Sequence, residues 1–443
     1  MGFSQALSGV NAASQQLDVI GNNISNSQTK GFKSGSVQFS DVFANSSVGL
    51  GTRVSGILQD FSSGSLEATG RNLDIAIAGD GFLRFQQEGQ VGYSRNGQLT
   101  MTADGYLENA QGARLMGYGL ADATDVNSGV VVGGQPGVLN IPAADMPASA
   151  TGATGTGIDI LLNLDSATVA DDTSTATLYN DLTAKNAEDT TAQTPIDYNY
   201  STSLTVYDSQ GAQHNATLYF QKSSVDENTW TVRTALDGVL TTDDPALTLK
   251  FDTSGKLSEI GEGAATTAIT DPAFTWPNLT FTADATGNGQ LGGSVNDIIT
   301  NFNMAGTTQR AGDSTVKSLA QDGYAPGALV GISFADDGTV VGNYSNEKTV
   351  DLGQVVLATF RNPEGLTPSG DNLFAATAAS GNELLGTAGT GTLGSVEAET
   401  LEASNVDLTQ ELVNLIIAQR NYQANTNSIR TQSEVMDQIA QLR

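Results

Sequence analysis

Three adjacent carboxylate pairs, Asp171-Asp172, Asp243-Asp244 and Asp336-Asp337, are the residues whose type could support acid–base chemistry in this chain. A glycosidase needs two such groups facing each other across a cleft. Here each pair stands beside turn residues, where an Asp side chain accepts backbone N–H groups, and turn chemistry is the expected role. Two stretches, 287–292 and 389–394, fit the G-x-G-x-x-G fingerprint. Neither lies between a strand pattern and a helix pattern, which a dinucleotide site demands. With 50 glycines in the chain, chance matches are expected. His214 is the single histidine; it follows a hairpin-type turn and is expected on a strand surface. One imidazole rules out a His–His metal site. The absence of Cys rules out thiol nucleophiles, disulfides, zinc fingers and iron–sulfur clusters. No G-x-S-x-G elbow and no D-x-[DN]-x-[DN]-G calcium loop occur. The expectation is no enzyme, no catalytic residue, no cofactor and no metal.

The informative spacings lie instead at the two ends. Phe3, Val10, Leu17 and Ile24 recur at intervals of seven, with Leu7 on the same face. Leu401, Leu408, Leu415, Tyr422, Ile429 and Met436 do so at the other end. Strict sevens are the seam pattern of helices that supercoil around partners. The alternative is an amphipathic helix packed on its own domain. Residues 1–27 carry one charge, Asp18, on a polar face otherwise made of Ser, Asn and Gln. Exposed helices usually carry Lys/Glu pairs there, so an uncharged face suits packing against other subunits or lining a lumen. The run Leu412-Val413-Asn414-Leu415-Ile416-Ile417 is apolar nearly all round a helix and needs enclosure on several sides. Candidate helices span 3–24, ending around Gly21-Asn22-Asn23, and 405–441. The expected assembly core is Phe3, Leu7, Val10, Leu17, Ile24, Leu408, Leu412, Leu415, Ile416, Tyr422, Ile429 and Met436.

Between the ends the period changes to two. Residues 71–144 and 298–375 alternate like short antiparallel strands, with turn signals at Gly79-Asp80-Gly81, Asn96-Gly97 and Asp104-Gly105. Residues 145–297 look like an insertion holding hairpin pairs such as 204–207 with 216–220. Both tryptophans, Trp230 and Trp276, lie here and are expected to anchor its core. The insertion carries 21 acids against 5 bases, more than half of the chain's net charge of −29. It is expected to face solvent, and a chain this acidic is a poor partner for nucleic acid or anionic lipid. No run reaches the ~18 apolar residues of a membrane span, and the first residues lack the basic start and apolar stretch of a Sec-type signal peptide. The 443 residues are therefore expected to form a mainly β, nested multi-domain protein with α-helical termini. The helices, 1–27 plus 400–443, form a coiled-coil inner domain. An irregular connector spans 28–70 plus 376–399. Two outer β-rich domains follow, 71–144 plus 298–375 and 145–297.

Several of these stretches resemble one family. The run from Leu17 to Asn26, followed by Thr29-Lys30-Gly31-Phe32-Lys33, is similar to a signature of the flagellar axial rod and hook family. Lys30 departs from the Pro often found before Gly-Phe-Lys. Gly79 to Tyr118, and Asn405-Val406-Asp407-Leu408 with Glu411 to Asn425, resemble the same family. The match covers about 1–120 and 300–443; the hairpins near 200–255 are more weakly similar to a hook outer domain. A rod member would be shorter and carry an extension after Gly-Phe-Lys, so the resemblance implies a hook subunit. It implies self-assembly into a flexible extracellular tube that transmits torque from rod to filament. Implied partners are further copies, rod and hook–filament junction proteins, the hook cap and the flagellar type III export apparatus, with no nucleic acid and no membrane insertion. A distal rod or hook-associated axial protein stays open as an alternative, and an extracellular polysaccharide-active enzyme or adhesin as a remoter one.

Overall fold

The computed structural model describes residues 2–42, 51–241, 246–263, 265–271, 274–284, 289–292 and 295–441. The chain divides into two compact units, 1–144 with 329–443, and 145–328.

In the first unit, helix α1 (Gly2–Ser25) and helix α3 (Leu408–Gln441) pack on each other. A hairpin of Gly35–Val42 and Gly51–Gln59 runs along α1. Gly35 lies beside Val19 and Gly51 beside Ser8, so the hairpin spans most of the helix. Two strands alone are marginal in water; α1 supplies their support. Thus 28–70, which the sequence suggested to be an irregular connector, holds regular strands over 35–42, 51–59 and 66–68. A large β-sheet and two short strand pairs, Leu66–Ala68 with Thr400–Glu402 and Ile75–Ala78 with Ser395–Ala398, make up the rest of the β part of the unit. The long central strand of the sheet, Thr349–Thr359, pairs with Thr339–Tyr344, Arg114–Tyr118, Phe82–Gln87 and Leu384–Thr387. Residues 352–358 are buried without a break, as expected of a strand covered on both faces. Phe82, Tyr93, Phe360, Leu366 and Phe374 form a core beside this sheet. Its rings meet edge to face, with Tyr93 and Phe360 centroids 4.7 Å apart.

Among its described residues the second unit is β-structured apart from a short helix, α2 (Leu182–Asn186), capped by the Asp181 side chain, and a single 3-10 turn at Thr190–Ala192. Its core holds Trp230, Phe220, Phe281, Phe302 and Leu162, with Trp276 packed at the edge. Tyr200–Tyr207 pairs with Gln213–Lys222 in the register Leu204↔Ala216, across a turn at Asp208–Gly211. The boundary expected at residue 297 moves. Ile298–Asn303, Thr308–Arg310 and Thr315–Gln321 all hydrogen-bond to Ile158–Asp165, so 298–328 belong to this unit. A local alternation cannot reveal which distant strand it will join. The chain enters and leaves side by side: Met146 and Gly327 exchange backbone hydrogen bonds of 2.8 and 3.1 Å.

Candidate assembly surface

The fully buried side chains of the helical pair are mostly small and are not those of the sevens. Ala6, Ala13 and Ile20 are buried on α1 along the stripe that carries Gly9, and Ala418 is buried on α3; Ala12 and Asn23 are also buried, Asn23 against the Gly35 backbone of the hairpin. A Cβ on Gly9 would lie 2.7 Å from Asn425 Nδ2, so glycine is what lets the helices approach there. On α1 the spacing Ala6, Gly9, Ala13, Gln16, Ile20, Asn23 alternates three and four, a heptad stripe. At 100° per residue it lies roughly 90° round from the Phe3–Val10–Leu17 row. The packing is antiparallel. Gly9 meets Asn425 well along α3, while Ser34, beyond the end of α1, donates its N–H to Asn405 beside the start of α3.

The expected assembly residues therefore split. Val10, Leu17, Ile24, Leu415 and Ile429 are half-buried along the edges of the seam. Phe3, Leu7, Leu408, Leu412, Ile416, Tyr422 and Met436 are exposed, Phe3 at 53% and Met436 at 67%. Leu401 is not helical: it is buried in the strand Thr400–Glu402, which pairs with Leu66–Ala68. The helical part of the carboxy-terminal segment thus starts at Leu408, not at residue 400. On α3, Leu408, Leu412, Val413, Ile416 and Ile417 form one stripe on the side turned away from α1, all exposed.

At the base of the helical pair lies a cluster that the sequence did not announce. Lys33 and Glu402 are fully buried, with Nζ 2.6 Å from Oε1. Lys33 Nζ also donates to the Ser62 carbonyl at 2.7 Å, and Gly64 N–H donates to Glu402 Oε1 at 2.8 Å. Arg95 adds a second cation, 3.3 Å from Glu402 Oε2, and donates to the Gly79 carbonyl at 2.8 Å. Burial pushes the Lys33 ammonium below the usual lysine range, opposed by the hydrogen bond and charge of Glu402. Burial likewise lowers Arg95. Asn405 donates to the Asp60 carbonyl at 2.8 Å, and Asn23 exchanges two 2.9 Å hydrogen bonds with the Gly35 backbone. Asp407 caps α3, accepting from the N–H groups of Thr409 and Gln410. Gly31 has φ +70°, and a Cβ there would lie 2.5 Å from the Asn96 nitrogen. The motif stretches 17–33, 93–97 and 405–408 thus meet in space, where they fix both helices to the sheet-bearing part of their unit.

Four family descriptions match in chain order. They are Flagella basal body rod protein over 4–33, Flagellar hook protein FlgE/F/G D1 domain over 76–171, Flagellar basal body protein FlaE D2 domain over 163–324, and Flagellar basal body rod FlgEFG protein C-terminal over 397–442. Flagellar hook protein FlgE of Escherichia coli is 43% identical over 452 residues, covering 100% of both chains. The chain belongs to the flagellar hook protein family. FlgE of Salmonella typhimurium is 42% identical over 447 residues, again with 100% of both chains covered. A solved structure, Helicobacter pylori flagellar hook protein FlgE2, aligns with a TM-score of 0.49 at 13% identity over 76% of this chain and 100% of that one. Hook-family membership makes this chain a structural subunit of the flagellum, mainly β with helical ends.

The residues first weighed for chemistry take structural places. Asp337 accepts from Thr339 N–H in the turn after Leu329–Phe334, and Asp172 lies in a turn closed on the Val169 carbonyl. Asp243-Asp244 and Gly287 lie outside the described residues. The second glycine fingerprint is a loop between Leu384–Thr387 and Ser395–Ala398, closed by Gly389 N–H on the Gly394 carbonyl. His214 is more than a surface residue. Its ring is half-buried, with Nδ1 2.8 Å from Asp237 and Nε2 3.4 Å from Asp208; Asp208 also accepts the Ala212 N–H of its turn, and Asp237 the N–H of Asn215 in the strand Gln213–Lys222.

Proposed function

We propose that the chain polymerises through its terminal helices into the flexible tube of the hook, a universal joint that carries torque from rod to filament. The supporting observation is the exposed apolar stripe on α3, Leu408 to Ile417, together with Phe3 and Leu7 on α1. Burying each large side chain is worth about 1.5–3 kcal/mol, and nothing else in the described chain covers them. The acidic unit 145–328 stays in solvent. The partners are further copies, rod and hook–filament junction proteins, the hook cap and the type III export apparatus. The site of action is extracellular, and the role is structural rather than enzymatic.

Electron microscopy of the purified chain after polymerisation tests this, alongside a variant in which a short linker replaces 146–327. The paired Met146 and Gly327 strands make that junction short. Curved tubes are expected from the full chain and straighter tubes from the deletion. If the deleted chain is folded and forms no polymer, assembly does not belong to the helices.

A further inference from the structure

Residues 151–157, Thr-Gly-Ala-Thr-Gly-Thr-Gly, carry no charge and no large side chain, yet they are held in one place. Gly152 and Gly157 have φ of +91° and +73°, the left-handed region that favours glycine. A Cβ on Gly152 would lie 2.3 Å from the Ile299 carbonyl oxygen, and one on Gly157 2.4 Å from that of Asn301. The segment therefore lies as a strap against the strand Ile298–Asn303. One carboxylate fastens it. Asp322 Oδ1 accepts the Gly152 N–H at 2.7 Å, while Oδ2 accepts the Thr154 hydroxyl at 2.5 Å and the Gly157 N–H at 2.9 Å. Burial by itself would raise this carboxyl, but the hydrogen bonds from Thr154, Gly152 and Gly157 outweigh it and hold the carboxyl below the usual carboxylate range.

Asp322 stands where the chain leaves the unit 145–328, and the strap follows the point where it enters. Between them Met146 pairs with Gly327 and Ser149 with Tyr324. Thr151 is buried and ties three segments together. Its hydroxyl donates to Gln321 Oε1 at 2.9 Å and accepts the Tyr207 N–H at 3.0 Å, and its own N–H donates to the Tyr207 carbonyl at 3.0 Å. We infer that Asp322 is a latch: it holds the strap 151–157 closed, so that the entering segment 146–149 and the leaving segment 324–327 act as one two-stranded stalk instead of two separate tethers. This rests on the reading of the chain as a torque-carrying subunit and adds how the unit 145–328 is gripped. A single tether turns about its own φ and ψ and passes little twist; two segments hydrogen-bonded to each other and strapped at the foot must turn together. A carboxylate suits the task, because hydrogen bonds to an ionised acceptor are roughly twice as strong as neutral ones, and three converge on this one side chain.

Hydrogen exchange on the soluble full-length chain tests the latch with Asp322→Ala and Asp322→Asn. The amides of Met146, Ser149, Tyr324 and Gly327 donate to backbone carbonyls and not to Asp322, so the substitution leaves their acceptors in place. Their exchange should still rise about tenfold in Asp322→Ala, and less in Asp322→Asn, whose amide oxygen can still accept. Amides around Trp230 should keep their protection in both. Unchanged exchange at all four positions, or an equal rise around Trp230, would overturn the latch. Electron microscopy of the polymer reads the stalk: tubes of Asp322→Ala should show a wider spread of curvature than tubes of the unmodified chain. An equal spread with raised exchange would overturn the mechanical role of the strap. Absence of tubes from the unmodified chain would remove the self-assembly reading, while the exchange result would still decide the latch.

Discussion

The helical pair and the unit 145–328 handle their apolar residues in opposite ways. Among the described residues of 145–328, Val169, Val225 and Ile299 are the large hydrophobics left exposed, while Trp230, Phe220, Phe281 and Phe302 are fully enclosed. The two long helices together expose ten large hydrophobics and seal their mutual seam with Ala and Gly. A seam of small residues brings the backbones close but removes little apolar area from water. Net charge follows the same division: more than half of the chain's −29 lies in 145–328, while residues 2–17 and 412–419 carry no charged side chain. A domain that must be stable alone hides its hydrophobics and charges its surface; a surface awaiting neighbours does neither.

This contrast can be broken at either end. Trp230→Ala should cost the unit 145–328 about 3–5 kcal/mol, because a fully buried ring leaves a cavity. Thermal unfolding followed by tryptophan fluorescence of Trp276 measures it, and polymerisation through the helices should survive. Loss of polymer with an intact helical pair would mean that the two regions are not energetically separate. Glu402→Gln should cost the helix-bearing unit about 3 kcal/mol, since Lys33 and Arg95 would be left buried without a counter-charge. Denaturant midpoints read this, and a neutral result would show that the cluster does not hold the helices to the sheet. Gly9→Leu should cost about 1–3 kcal/mol by wedging the seam at Asn425. Its effect on the β units should be nil; equal destabilisation of both would contradict a local seam.

The helices were legible because a period near 3.6 over twenty or more residues is hard to mistake. The hairpin at 200–222 was legible through its turn residues and alternation. The seam was not, because Ala6, Gly9 and Ala13 do not register as apolar beside Phe3 and Val10, though they repeat at the same heptad spacing. The Lys33–Glu402 pair was out of reach for a different reason: its partners stand 369 positions apart, and each looks like an ordinary surface charge. Residues 298–328 were assigned to the wrong side of the boundary because strand texture is local and strand pairing is not.

Coverage of the helices by other copies is tested most directly by hydrogen exchange on verified monomer and on polymer. With so little area buried between them, α1 and α3 should exchange fast in the monomer and slowly in the polymer, while strands around Phe82 and Val355 stay protected in both. Slow exchange throughout both helices in a verified monomer would show that the small-residue seam alone stabilises the pair. In that case the exposed stripe on α3 would not be what drives its folding.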